Sequence, residues 1–100
     1  MVNTTNRIIT KRLIVGATNT ATVAASSEVL GSQRRAGVRH TLEVCNRSEN
    51  LVFFGGEDVT VESGMPILPD EHRTFYVSDP HAVFLIAEKE SEVVIAEFCV

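Results

Sequence analysis

From Val38 to Cys45 the chain alternates: Val38, His40, Leu42 and Val44 fall on one side, Arg39, Thr41, Glu43 and Cys45 on the other. A period of two is the mark of a strand with one face in a core. Residues 51–54 form an apolar run, and the polar residues 46–50 between the two runs turn the chain, so the pair reads as an antiparallel hairpin. Residues 74–77, 82–87 and 93–100 are three more apolar, β-branched runs. The first two flank Ser78-Asp79-Pro80-His81, where Pro80 suits the second position of a type I turn; the acidic residues 88–92 precede the third. These three read as a meander. Upstream, residues 12–15 and 21–24 are short β-branched runs around Gly16 and the polar residues 18–20, giving two more strands. Residues 24–31 read as loop, because Ser26-Ser27 and Gly31 disfavour a helix.

Between residues 53 and 71 the apolar pieces are punctuated by Gly55-Gly56, Ser63-Gly64, Pro66 and Pro69-Asp70. Gly tolerates positive φ and Pro presets the first corner of a turn, so Gly55, Gly56, Gly64, Pro66, Pro69 and Asp70 are structural turn residues in this reading. Short strands at intervals of roughly 8–12 residues, with turn chemistry between them, predict an all-β fold: one small antiparallel β-sandwich or barrel of about seven to eight strands. The first residues are rich in Asn and Thr. Residues 1–11 are therefore expected to form an extended N-terminal arm that orders against a partner, and residues 12–100 the β-sandwich domain.

Composition changes this picture little. Apolar residues make up 44% of the 100 and charged residues 22%, which is globular rather than disordered. A chain this short buries only about 60–70% of its unfolded surface, so its core is thin and oligomerisation would help it. No apolar stretch suits a membrane helix or a signal-peptide h-region, which predicts a soluble protein made in a cytoplasm and not bound to membrane.

Charge is more informative in its distribution. The net charge is −4, but residues 1–50 carry seven Lys/Arg against three Asp/Glu, and residues 51–100 carry two against ten. Complementary halves suit strand pairing within the fold or docking between subunits, and equally the chance distribution of solvated faces. An acidic chain whose nearest approach to a basic cluster is Arg34-Arg35 with Arg39 is not expected to bind nucleic acid.

The search for chemistry returns no catalytic constellation. His40, His72 and His81 lack metal-ligand spacing, with His40 read as sheet-facing and the other two as turn residues. No serine sits in a nucleophile elbow, and no phosphate-binding glycine loop is present. Asp70-Glu71 is explained by a turn. Cys45 and Cys99 are read as free thiols, since a cytoplasmic origin opposes a disulfide. The expectation is a protein that is not an enzyme, with no catalytic residues, no metal and no cofactor.

The ordered pieces resemble a segment of small β-sandwich structural proteins in tailed-bacteriophage virions. Leu13-Ile14-Val15-Gly16 with Ala21-Thr22-Val23-Ala24 looks like their opening strands, and residues 39–46 like a strand ending in Asn. Phe54-Gly55-Gly56, Val59-Thr60, Gly64, Pro66, Leu68-Pro69 and Glu71 look like the signature turn region, with Asp70 where Gly is commoner. Residues 84–87 and 93–97 look like the closing hairpin. The resemblance implies a virion protein: a capsid decoration or head-fibre component that binds the major capsid protein or other virion proteins and itself, with a trimer favoured. Assembly contacts would then come from Arg7, Ile8, Ile9, Lys11, Arg34 and Arg35. A carbohydrate-binding module on a tail or baseplate is the alternative the same resemblance allows.

Overall fold

A computed structural model describes residues 7–16, 22–23, 39–76 and 83–99. Among them are eight strands and no helix: β1 (Arg7–Val15), β2 (Thr22–Val23), β3 (Arg39–Asn46), β4 (Val52–Gly55), β5 (Met65–Ile67), β6 (His72–Phe75), β7 (Phe84–Ile86) and β8 (Ser91–Cys99). They form two four-stranded sheets, ordered β1-β8-β3-β6 and β2-β7-β4-β5, and every pairing is antiparallel. The all-β sandwich expected from the alternation is present.

The pairing has a simple rule. The first strand pairs with the last, the second with the seventh, the third with the sixth and the fourth with the fifth. One long hairpin, with β4 and β5 at its tip, is wrapped so that two further pairings, β3 with β8 and β4 with β7, close the sheets. This is the double-sheet jelly roll.

That wrapping corrects two expectations. Residues 38–45 and 51–54 do not form a hairpin, because β3 and β4 lie in different sheets. The meander of the last three strands is likewise absent: β6 and β8 flank β3 in one sheet, while β7 sits between β2 and β4 in the other. Only β4 and β5 are consecutive in the chain and neighbours in a sheet. A polar turn reverses the chain equally well within a sheet or across the sandwich, and burying both inner faces selects the crossing.

The core lies between the sheets. Val15, Leu42, Val44, Val93 and Ile95 come from one sheet, Val52, Ile67 and Leu85 from the other, and Val83 and Ala87 flank β7. Each fully buried aliphatic side chain of this kind stabilises the fold by about 1.5–3 kcal/mol. Leu13, Phe54 and Phe75 pack against this cluster, and the rings of Phe54 and Phe75 meet edge to face across the sandwich, with centroids 4.9 Å apart. The alternation read from β3 holds at its described side chains: Leu42, Val44 and Asn46 are buried, while Thr41, Glu43 and Cys45 are half-buried. Its phase shifts by one residue against β8 between Arg39 and Thr41, a bulge at His40.

A second, smaller cluster sits outside the main core. Ile86 and Val59 are buried but belong to no part of it. Ile86 lies opposite Phe53 in the ladder, and the turn residues 56–64 return to Phe53 and Gly55, so this loop covers the outer side of its own sheet. The loop is held by the Val59 amide donating to the Gly56 carbonyl and the Gly64 amide donating to the Thr60 carbonyl. Thr60 and Ser63 add reciprocal side-chain bonds.

Residues 7–11, expected in an arm, do not form one. They are the first part of β1, bonded to β8 from Cys99 to Ile95, because Ile9 and Lys11 share the inward phase of Leu13 and Val15. Residues 1–6, the loop at 24–31 and the Asp79-Pro80 turn lie outside the described residues. His72 is no turn residue; it opens β6 and is exposed.

Candidate assembly surface

The last part of the signature region, Leu68-Pro69-Asp70-Glu71, meets Asn46 in a polar knot at the end of β3. Asn46 is fully buried, and all of its polar groups are engaged. Its side-chain amide donates to the carbonyls of Asn50 and Ile67 at 2.8 and 2.9 Å, and its side-chain oxygen accepts from the Ser48 amide and hydroxyl. Its backbone amide donates to the Glu71 carbonyl and its own carbonyl accepts from the Asp70 amide. The side chain thus ties the β3–β4 turn to the end of β5, and the backbone of the same residue adds the β5–β6 turn. Asn50 extends the tie to Ser91 and the Glu90 carbonyl.

Residues 68–71 form the tightest element of this knot. The Glu71 amide donates to the Leu68 carbonyl, with Pro69 and Asp70 at the corners and Asp70 at a φ of 65°. That is a type II turn, whose third position asks for positive φ. The Glu71 carboxylate closes the turn by accepting from the Leu68 amide at 2.8 Å, and Arg73 pairs with the same oxygen at 2.8 Å while also donating to the Pro66 carbonyl. The Leu68 amide, followed by Arg73, holds the Glu71 carboxyl below its ordinary range. Pro66 lies on β5, an edge strand, where a missing amide costs least.

Gly55 and Gly64 act by size and not by positive φ. None of Gly55, Gly56 and Gly64 adopts the left-handed region. A Cβ on Gly64 would stand 2.7 Å from Phe53 Cβ and 3.0 Å from the Thr60 carbonyl oxygen, whereas one on Gly56 would meet nothing closer than 4.0 Å.

The expected contact residues divide. Arg34 and Arg35 lie outside the described residues. Arg7, Ile8, Ile9 and Lys11 fall together on β1, which ends its sheet; among the described residues no strand pairs with its other side. Ile8 and Ile14 are 55% and 48% exposed on the outer face, beside Phe98, Ala96 and Val94 of β8. On β1 itself Thr10 and Arg12 stand between Ile8 and Ile14, and Ile14 is opposite Glu92, so the apolar side chains here are dispersed over β1 and β8. Ile9 and Lys11 point to the core side and are half-buried. The complementary charge of the two chain halves is partly used here, since Arg12 on β1 pairs with Glu92 on β8 at 2.8 Å.

The register separates the two cysteines. Cys45 stands opposite Val94, and Cys99 is five residues farther along β8, roughly 17 Å at the rise of a strand. A disulfide within the chain needs Cα atoms within about 7 Å, so Cys45 is free.

Two small grooves meet at Glu88. One, of about 180 Å³, is lined by Asn50, Leu51, Phe53, Glu88 and Lys89; the other, of about 310 Å³, by Thr60, Val61, Glu62 and Glu88. Among the described residues no three His, Cys, Asp or Glu side chains gather as metal ligands, and no helix is long and apolar enough to cross a membrane. No protein-family model matches the chain, and no curated protein matches it significantly.

Proposed function

We propose that this protein is a non-enzymatic structural component of a bacteriophage virion, a capsid decoration or head-fibre protein that binds the shell and stabilises it through oligomeric contacts. The observation that carries this reading is the union of two of its resemblance pieces: the strand ending in Asn46 and the Leu68-Pro69-Asp70-Glu71 turn are one hydrogen-bonded unit. Two pieces of the motif set that lie apart along the chain are therefore joined. Jelly rolls recur in viral capsid proteins, and the exposed Ile8 and Ile14 on β1 give a small domain apolar side chains to bury against neighbours. Fold alone does not settle function, so the support is that unit together with these exposed side chains.

The carbohydrate-binding alternative has one observation in its favour, Tyr76, which is 83% exposed just after β6. An exposed aromatic ring can stack on a sugar, and lectins also use this fold.

The test is recovery of partners. Tagged protein, expressed with the virion proteins encoded beside its gene, should co-purify with the major capsid protein, and light scattering should give a multiple of the 10.9 kDa chain. Recovery with tail proteins and binding to a glycan array, lost in Tyr76→Ala, would instead establish the tail-module reading. A monomer that recovers neither would overturn both.

A further inference from the structure

We propose that the open edge of β1 receives an extended acidic segment of the shell protein as an added antiparallel strand, with a carboxylate of that segment opposite Lys11. The partner's identity rests on the virion reading; the chemistry of the contact does not.

β1 is nine residues long and, among the described residues, ends its sheet, so alternate backbone amides and carbonyls along it face outward, and strand addition is the interaction such an edge offers. Its charges are Arg7, Lys11 and Arg12, with no acidic residue. Arg12 is used by Glu92. Lys11 is not used: its ammonium makes no ion pair with any described residue, although its stem is half-buried on the core side between the phases of Ile9 and Leu13.

An inward-pointing charge on an edge strand discourages indiscriminate pairing, because any strand that docks must answer it. A second copy of β1 in the centred antiparallel register would place Lys11 opposite Lys11, which is unfavourable. A strand with a carboxylate there, and apolar residues two positions to either side, would answer Lys11 and cover Ile9 and Leu13. On its other edge β1 pairs with β8, which presents Val93, Ile95 and Glu97 to the core side; Lys11 stands opposite the apolar Ile95 and Glu97 opposite Ile9, so β8 sets no carboxylate directly across from Lys11.

The experiment uses the full chain and two labelled nonapeptides of alternating threonine and valine, one with a central glutamate and one with a central lysine. At low salt the glutamate peptide should bind roughly fivefold or more tightly than the lysine peptide, in keeping with a cross-strand charge pair. Amide shifts in NMR should concentrate on residues 7–15. Lys11→Glu should reverse the preference, and Lys11→Gln, which keeps the stem and cannot mispair a charge, should abolish it. Equal binding of both peptides, no binding, or shifts elsewhere would overturn the proposal. So would self-association through β1 amides on concentration, which would make a second copy the occupant. Peptide discrimination without recovery of capsid protein would remove the shell as the partner and leave the acidic-strand contact standing.

Discussion

Val59 Cγ2 stands 2.7 Å from the position a Cβ on Gly55 would take, so the two residues are matched as a branched side chain and the absence of one. The same methyl lies 2.9 Å from the corresponding position on Gly64. Val59 therefore fills the gap left by two glycines and anchors the β4–β5 loop over the outer side of its sheet.

The three glycines should consequently differ. Gly64→Ala is expected to cost about 1–3 kcal/mol, since Phe53 Cβ and a backbone oxygen both stand in the way, and Gly55→Ala somewhat less, since Val59 can shift. Gly56→Ala should stay within about 0.5 kcal/mol. Urea unfolding of the three variants measures this; equal losses at Gly56 and Gly64 would contradict the steric account.

Asp70 holds a positive φ that a glycine adopts without strain. Relief of that strain outweighs the extra freedom glycine has when unfolded, so Asp70→Gly should stabilise the protein by up to about 1 kcal/mol, while Asp70→Val should cost roughly 1–2 kcal/mol. Thermal melts that rank the two variants the other way round would place the turn in a different conformation.

Removing the Asn46 side chain takes a donor from the Ile67 carbonyl and an acceptor from the Ser48 amide, while the Ser48 hydroxyl and the Asn50 carbonyl keep their bond to each other. Asn46→Ala should cost about 2–4 kcal/mol. Asn46→Asp is the sharper test, because it keeps the acceptor but turns an ionised oxygen toward the carbonyls of Asn50 and Ile67. At neutral pH it should be at least as unstable as the alanine variant, and it should recover as the pH falls and the carboxyl protonates into a donor. Full stability of either variant at neutral pH would show that the knot is dispensable.

Glu71 supplies a pH dependence whose sign follows from its lowered pKa. The ionised form is favoured in the fold, so its contribution is complete above the ordinary value of 4.5 and is lost as the pH falls through the lower folded value. The melting-temperature gap between the wild-type protein and Glu71→Gln should be constant near neutrality and narrow on acidification below about pH 4.5. A gap that stays unchanged down to pH 3 would mean the Leu68 and Arg73 contacts do not act through charge.

Both cysteines should react with a thiol reagent after unfolding without reductant, because the register holds them apart. Loss of two thiols in freshly purified monomer would require a different β3–β8 register from the one in which Cys45 faces Val94.

The sequence by itself determined the all-β class, the inward phase of β3 and the Pro69-Asp70 turn, but not β5, nor that residues 7–11 and His72 lie in strands. What it determined is local: a period of two in residues 41–46, Pro69 before a residue at a corner, and small residues where the chain doubles back. It also placed Asn46 at a strand end and Glu71 after Leu68-Pro69-Asp70, yet nothing in those positions showed that the two would share hydrogen bonds. Only the tertiary structure decided which strands are neighbours. Residues 46–50 reverse the chain whether the next strand pairs beside β3 or crosses to the other sheet, and the choice is made by burying Leu42 and Val44 against Val52, Ile67 and Leu85. The same packing left β1 at an edge with Lys11 on its inner side, a fact of sheet order that no pattern within residues 7–15 contains.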